Sequence, residues 1–307
     1  MKPAAFDYVA PRSLDEALAE LRNSDGETRV LAGGQSLVPL LNFRLARPSR
    51  IVDLNRVAEL QYVHARDGGL AIGAMTRDAR IERDARFKAE QPLVAEAIQY
   101  VGHAAIRSRG TFGGSLAHAD PAAELPATAV CLGAELTLRS TRKIRRVAAE
   151  DFFRGYLTTM LEPDELLLET WLPPVRPSTG QAWVEFSRRH GDFALVGAAV
   201  SLTEVDGKIS STSIVLSGVA GSPYRARQAE TLLTTAAYSP DAVRAAADAV
   251  RAGIDPDADI HGSREYRKHL AAVITERAIR LAHQRAVSES PVALDVRRML
   301  ESTSQRA

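Results

Sequence analysis

The chain has 307 residues, enough for two or more domains at roughly 150 residues each. Hydrophobic residues make up 45% and charged residues 25%, the balance of a folded chain and not of a disordered one. Lys plus Arg is 39 against 38 Asp plus Glu, and the net charge of +1 argues against a chain tuned as a whole for nucleic acid. Cys131 is the single cysteine, which excludes an internal disulfide and a protein-held iron–sulfur cluster needing about four thiolates. No stretch approaches the ~18 apolar residues of a membrane span, and the start lacks the apolar core of a secretion signal. A cytoplasmic location is expected.

Strand and helix alternate at the start. Ser13 to Glu16 reads as a capping box opening a helix whose Leu14, Ala17, Leu18 and Leu21 share one face. Asn23 to Glu27 is turn-forming. Thr28 to Ala32 predicts a buried strand that stops at Gly33-Gly34. Leu37, Leu40, Leu41 and Leu45 then have helical spacing, with Ser36 as the expected N-cap. Arg50 to Leu54 predicts another strand, and a first lobe spans 1–60.

The second lobe, 61–177, begins with a hairpin-like strand at Gly68 to Gly73. A charged helix starts at Thr76 to Ala79, and Pro92 opens another. Arg107 to Ser115 is glycine-rich and too irregular for either period. Asp120-Pro121 predicts the start of an alanine-rich helix running to Cys131. Strands are expected at Glu135 to Arg139, Ile144 to Ala148 and Leu166 to Leu172.

The turn-rich stretch Pro173 to Gly180 marks the start of a third lobe, 178–290. Three strands are predicted there: Gln181 to Arg189, Ala194 to Val205 and Lys208 to Val219. Asp206-Gly207 is a hairpin turn between the last two. Helices are expected from Ala226, from Pro240 and from Ser263 to about Ala286, followed by a polar tail at 291–307.

Two glycine pairs end apolar segments: Ala32-Gly33-Gly34-Gln35-Ser36 and Thr111-Phe112-Gly113-Gly114-Ser115. With no Cβ in the way, each is read as a cradle of backbone amides for an anion, with hydroxyls of Ser36, Thr111 and Ser115 as further donors. Two such cradles suit the two phosphates of a dinucleotide. A tight turn is the plainer reading of either one alone. The chain has no G-x-x-x-x-G-K-[ST] loop and no G-x-G-x-x-G after a strand, so P-loop and Rossmann sites are disfavoured.

Ala32-Gly33-Gly34-Gln35-Ser36-Leu37 and the run from Ile106 through Thr111-Phe112-Gly113-Gly114-Ser115 to Asp120-Pro121-Ala122-Ala123-Glu124 together resemble the FAD-binding medium subunit of molybdenum hydroxylases. That family includes the flavoprotein subunit of aerobic carbon monoxide dehydrogenase and the FAD domain of xanthine dehydrogenase. Phe6 to Pro11 and Arg188 to Val196 are similar to it as well. The resemblance implies an α+β fold: a two-lobed FAD-binding domain of the PCMH/VAO type, plus a C-terminal lobe with a three-stranded antiparallel sheet and a helical bundle. It further implies that Leu31, Ala32, Gly33, Gly34, Gln35, Ser36 and Leu37, with Thr111, Gly113, Gly114 and Ser115, bind the diphosphate and ribityl region. Glu124 and Leu167 are further cofactor contacts on the same ground. Ser115 and Phe112 depart from the family's frequent asparagine and smaller aliphatic, and Val184-Glu185 stands where relatives carry a lysine near the flavin.

FAD in this chain would pass electrons from iron–sulfur clusters to a final acceptor. The resemblance places [2Fe-2S] clusters on a small subunit and the molybdenum cofactor on a large molybdopterin subunit, arranged as a dimer of heterotrimers. Two alternatives stand beside this: a self-contained flavin oxidoreductase of the same fold, and a cofactor-free scaffold subunit. No metal site is expected, because the seven histidines are dispersed and form no H-x-x-x-H pair. Cys131 reads as a buried small hydrophobe, and Tyr8, Phe6 and Trp183 as packing residues. His118 reads as a hydrogen-bonded loop histidine. Arg139, Arg142, Lys143, Arg145 and Arg146 read as a solvated hairpin edge, with subunit docking the lesser alternative.

Overall fold

The computed structural model describes residues 2–22 and 27–288. Most of the turn at 23–27 and the tail at 291–307 lie outside the described residues.

The first sheet has the order β1-β3-β2, with β1 Asp7–Val9, β2 Thr28–Leu31 and β3 Arg50–Asp53, all parallel. Parallel neighbours need a crossover, and α1 (Leu14–Arg22) and α2 (Leu37–Asn42) supply the two connections. The Leu14, Ala17, Leu18 and Leu21 face of α1 is buried, as its spacing predicts. Its capping box is half made. The Glu16 amide donates to Ser13 Oγ at 3.2 Å, but the Glu16 carboxylate accepts from Arg12 N at 2.7 Å and not from Ser13. Tyr8 is not a packing residue: it is exposed, and its hydroxyl donates to Asp53 Oδ2 at 2.5 Å.

The second sheet is five-stranded in the order β4-β5-β10-β6-β7, and its paired strands are antiparallel. It comprises β4 Val63–Arg66, β5 Gly69–Gly73, β6 Glu135–Arg139, β7 Ile144–Ala148 and β10 Leu166–Leu172. Between β5 and β6 run α3 (Asp78–Arg83), α4 (Ala85–Glu90), α5 (Pro92–Ala97), α6 (Ala104–Arg107), α7 (Phe112–His118) and α8 (Glu124–Cys131). Between β7 and β10 come α9 (Ala149–Phe152) and the small hairpin β8 (Phe153–Gly155) and β9 (Thr158–Thr159). Two sequence readings change here. The Gly113-Gly114 pair lies inside the first turn of α7, because Thr111 caps it by accepting from Gly114 N at 3.1 Å. Glycine disfavours helix on propensity alone, so tertiary packing decides this segment. The alanine-rich helix starts at Glu124 and not at Asp120, whose carboxylate instead closes a turn by accepting from Ala122 N at 2.9 Å.

The basic hairpin is not a bare solvated edge. Each of its cations has a carboxylate within reach: Arg139 with Asp15, Arg142 with Asp164, Lys143 with Glu162, Arg145 with Glu165 and Arg146 with Glu135.

The third sheet runs β11 (Thr179–Phe186), β12 (Val196–Val205), β13 (Lys208–Ser217) and β14 (Tyr224–Arg225), antiparallel throughout. It has a fourth strand because Tyr224–Arg225 pairs with β13; two residues carry no period that a sequence could reveal. Asp206 and Gly207 both take positive φ, as the tight turn between β12 and β13 requires. The sheet is buried on both faces, and its alternation divides two cores. Trp183, Ala199 and Val215 stand opposite one another and join the core of the second sheet. Ala182, Ala198 and Leu216 face the other way, against α10 (Arg227–Thr235), α11 (Pro240–Gly253) and α12 (Arg264–Val287). Cys131 is buried beside this sheet, its thiol 3.5 Å from the Ser213 carbonyl oxygen, and burial pushes its pKa up to about 12.

The tightest packing in this part is α12 on β11 at Gly180, where a Cβ would lie 1.8 Å from the Ala282 carbonyl oxygen and 2.5 Å from Ala286 N. Neither backbone can yield without separating helix from sheet. Gly180→Ala is expected to destabilise the chain by roughly 2 kcal/mol or more, read as a lower urea midpoint with unchanged slope.

Candidate functional site

A cleft of ≈ 700 Å³ opens between the first sheet, the second sheet and the start of the third. That volume is ordinary for a small-molecule or cofactor site. Its walls include Ala32, Gly33, Gly34, Gln35, Ser36 and Leu37 on one side, and Thr111, Gly113, Gly114, Ser115, Glu124 and Leu167 on the other. Gly191, Asp192 and Phe193, before β12, complete the rim. Leu31 is the one expected contact that does not line the cleft; its Cδ1 lies 3.3 Å from where a Cβ on Gly34 would sit.

The two glycine loops are not equivalent. Among the described residues, the amides of Gly33, Gly34, Gln35, Ser36 and Leu37 donate to no protein acceptor, leaving a run of free N–H groups beside the cleft. Such a run can accept an anion. Ser36 does not act as a side-chain cap; its backbone is already helical, at φ −103° and ψ −47°, which leaves its hydroxyl available to a ligand. In the second loop the amides are committed. Phe112 N donates to Thr76 O at 3.0 Å, Gly113 N to Ala74 O at 3.0 Å, and Gly114 N to the Thr111 hydroxyl. Ser115 N donates to Thr111 O at 3.0 Å. The expectation of two backbone cradles is therefore corrected: the first loop supplies amides, and the second supplies shape and the Thr111 and Ser115 hydroxyls.

The glycines serve packing more than ligand clearance. A Cβ on Gly33 would lie 2.5 Å from the Arg109 carbonyl oxygen and 2.8 Å from Gly110 Cα. One on Gly113 would meet Ala74 Cβ at 2.4 Å, and one on Gly114 would meet Thr111 Oγ1 at 2.5 Å. The first loop thus presses directly onto the backbone just before α7.

A polar clasp absent from the sequence reading secures this contact. Asn55 donates to the Ala32 carbonyl at 2.9 Å and to Asp53 Oδ1 at 2.5 Å. Arg77 donates to Asn55 Oδ1 at 2.5 Å and also to the Arg109 carbonyl. Asn55 and Arg77 lie outside the glycine motifs, and nothing in their local sequence distinguishes them from ordinary surface residues.

Apolar and acidic surfaces fill the remainder. Leu54, Met75, Leu161, Leu166 and Leu167 give a hydrophobic wall suited to a planar ring system. Asp78 and Glu124 are buried in the lining, and burial raises each carboxyl to about 7; Glu124 adds to the shift at Asp78, and Asp120 to that at Glu124. Nearby Glu185 is raised to about 8, by burial first and Glu124 second. His118 is a helix residue and not a loop one; it lines the cleft, and burial lowers its pKa. Among the described residues no group of three or more His, Cys, Asp and Glu is placed to hold a metal.

The residues present fit FAD: free amides for a diphosphate, hydroxyls for polar contacts and an apolar wall for the ring. Comparison with known proteins agrees. Residues 4–175 match the FAD binding domain in molybdopterin dehydrogenase, and residues 181–282 match the CO dehydrogenase flavoprotein C-terminal domain. The chain belongs to this family of molybdenum hydroxylase flavoproteins. It is 41% identical to the caffeine dehydrogenase subunit beta of Pseudomonas sp. (strain CBB1) over 97% of this chain and 100% of that one. It is 40% identical to the 6-hydroxypseudooxynicotine dehydrogenase complex subunit alpha of Paenarthrobacter nicotinovorans, over 93% and 97% respectively. The solved carbon monoxide dehydrogenase from Hydrogenophaga pseudoflava superposes with a TM-score of 0.91 at 36% identity, covering 93% of this chain and 99% of that one. The full-length match to oxidoreductase subunits leaves no support for a cofactor-free scaffold or a self-contained enzyme.

The raised carboxyls set a stability trend. A carboxyl whose folded pKa lies above its unfolded value stabilises the fold at low pH and loses that contribution as pH rises through the folded value. For Asp78, Glu124 and Glu185 the loss begins above the ordinary carboxyl range of about pH 4 and is complete once the pH passes about 7 to 8. The cofactor-free chain is therefore expected to gain about 2 kcal/mol of unfolding free energy between pH 8 and pH 6.5, measured by urea titration at each pH.

Proposed function

We propose that the cleft holds an extended FAD, with the free amides of Gly33 to Leu37 against the diphosphate. Thr111 and Ser115 add hydroxyl contacts, Glu124 lies beside the ribityl chain, and Leu167 packs on the ring with Met75. Gly113 and Gly114 shape the floor, and Ala32 and Leu31 position the amide run from beneath. The observation that carries this reading is the run of unpaired amides opening on a cleft of ≈ 700 Å³. Bound FAD takes and gives electrons singly or in pairs, which joins one-electron centres to a two-electron acceptor. The chain's own part is to bind it, keep water from one face and hold its surroundings fixed.

In this reading the chain works in the cytoplasm as the electron-output subunit of a molybdenum hydroxylase. Its sole thiol, Cys131, is buried, so the iron–sulfur clusters belong to a small partner and the molybdenum cofactor to a large one. We assign the assembly as a dimer of heterotrimers. Among the described residues no helix is long and apolar enough to cross a membrane. The substrate pocket lies in the large subunit, so this chain does not select what is oxidised. The division into lobes at 1–60, 61–177 and 178–290 is supported by the grouping of the three sheets.

Gly33→Ala tests the site directly. The added methyl group meets backbone at 2.5 Å and lifts the amide run off the second lobe. In the assembled complex the variant is expected to retain less than about a tenth of the flavin, with the iron–sulfur spectrum intact. Full flavin occupancy in the variant would remove this loop from the binding site.

A further inference from the structure

Asp78 is not needed to explain the fold. It is 2% exposed, its Oδ1 has no hydrogen-bond partner, and it forms no ion pair among the described residues. Burying a carboxyl oxygen without a partner is costly, so an unpaired one facing a ligand cleft marks a contact completed by the ligand. Its position is well defined. The Asp78 amide donates to the Gly110 carbonyl at 3.1 Å, and its Oδ2 would lie 2.2 Å from a Cβ on Gly110. Gly110 in turn presses on Gly33, so Asp78 sits one residue's thickness from the free amide run.

Burial first, and the Glu124 carboxylate second, favour the neutral form of Asp78 over the opposing pull of Arg77 and Arg107. Arg77 is held by Asn55 and the Arg109 carbonyl, and Arg107 is engaged by Glu82 at 2.8 Å. Glu124 approaches from α8, with Asp120 before it and Glu185 behind it on β11. His118 on α7 is held toward its neutral form by burial. An ionised Asp78 would add negative charge to a desolvated acidic group and oppose any anion at the neighbouring amides. A neutral acid carries an O–H and donates.

We propose that Asp78 is a cofactor-binding residue which enters the cleft as a carboxylic acid and donates its proton in a hydrogen bond to a diphosphate oxygen of FAD, so that FAD and a proton bind together. This rests on the FAD reading of the cleft. The diphosphate, as an anion accepting that bond, holds the proton more tightly than the empty cleft does. Asp78 and Glu124 interact, so the proton belongs to the pair before binding and to Asp78 after it.

The test uses the assembled complex stripped of flavin and titrated in weak buffer containing a pH indicator. Between pH 8 and 9, FAD is expected to draw up to one proton per site, and its Kd to weaken by up to about tenfold per pH unit. ADP, which carries the diphosphate without the flavin, takes up the proton as well, whereas riboflavin does not. Asp78→Asn, which keeps a donor, binds FAD within a few-fold of wild type at pH 6.5, with no proton uptake and a flat Kd profile. Asp78→Ala binds more weakly at all pH values, and Glu124→Gln still takes up the proton. Wild type that binds FAD without proton uptake, or Asp78→Asn with wild-type uptake, overturns the proposal. Uptake with riboflavin and not with ADP overturns the diphosphate assignment. A stripped complex that binds no FAD at all overturns the cofactor reading itself.

Discussion

The site depends on one close backbone approach. Gly33, just past a strand of the first sheet, lies against Arg109 and Gly110, which precede α7, at a distance no side chain would allow. This contact, with the core that Val52 and Leu54 share with Met75, Leu166 and Leu168, makes two sheets the two walls of one cleft. It also determines which amides stay free, because the loop is held from outside through Asn55 and Arg77 and not through its own N–H groups. Had the loop closed on itself with ordinary turn hydrogen bonds, those N–H groups would be spent.

A second constraint comes from the C-terminal sheet, which has no solvent face. Its alternate residues serve two cores, so the sheet cannot shift by one residue without driving Trp183 into the core packed by the small Ala182 and Ala198. Polar contacts across the same junction agree with that register. Trp183 N donates to Glu96 at 2.9 Å, and Arg285 on α12 pairs with the same carboxylate at 2.9 Å. This rigid docking carries Gly191, Asp192 and Phe193 to the mouth of the cleft, although they are far in sequence from the glycine loops.

The distribution of ion pairs separates scaffold from site. At the basic hairpin each cation meets a carboxylate, and Arg145 with fully buried Glu165 anchors the group at 2.6 Å. The more exposed pairs of the hairpin, such as Arg139 with Asp15 and Lys143 with Glu162, contribute roughly 0–1 kcal/mol each, and their larger effect is to leave a sheet edge without a strong field. The cleft is built the opposite way. Asp78 and Glu124 have no paired cation among the described residues, and they stay buried because protonation removes the charge. The carboxylates of the basic hairpin are paired, whereas these two are left without a cation beside the run of free amides.

The local elements were legible in the amino-acid order because local rules govern them. The spans Glu135–Arg139, Ile144–Ala148 and Leu166–Leu172 match the expected strands, and the face of α1 follows its leucine spacing. The two glycine motifs led to both backbone walls of the cleft, since a glycine pair ending an apolar run marks backbone that must come close to something. What it comes close to was not legible. That Gly113 and Gly114 enter a helix with their amides spent, that Asn55 and Arg77 brace the first loop, and that Asp78 is sealed against Gly110 all depend on residues tens of positions apart. Sequence determined the strands, the helices and the chemistry available to the loops. Only the tertiary structure decided which amides remain unpaired and which acids lose their water, because both follow from what other segments of the chain press against them.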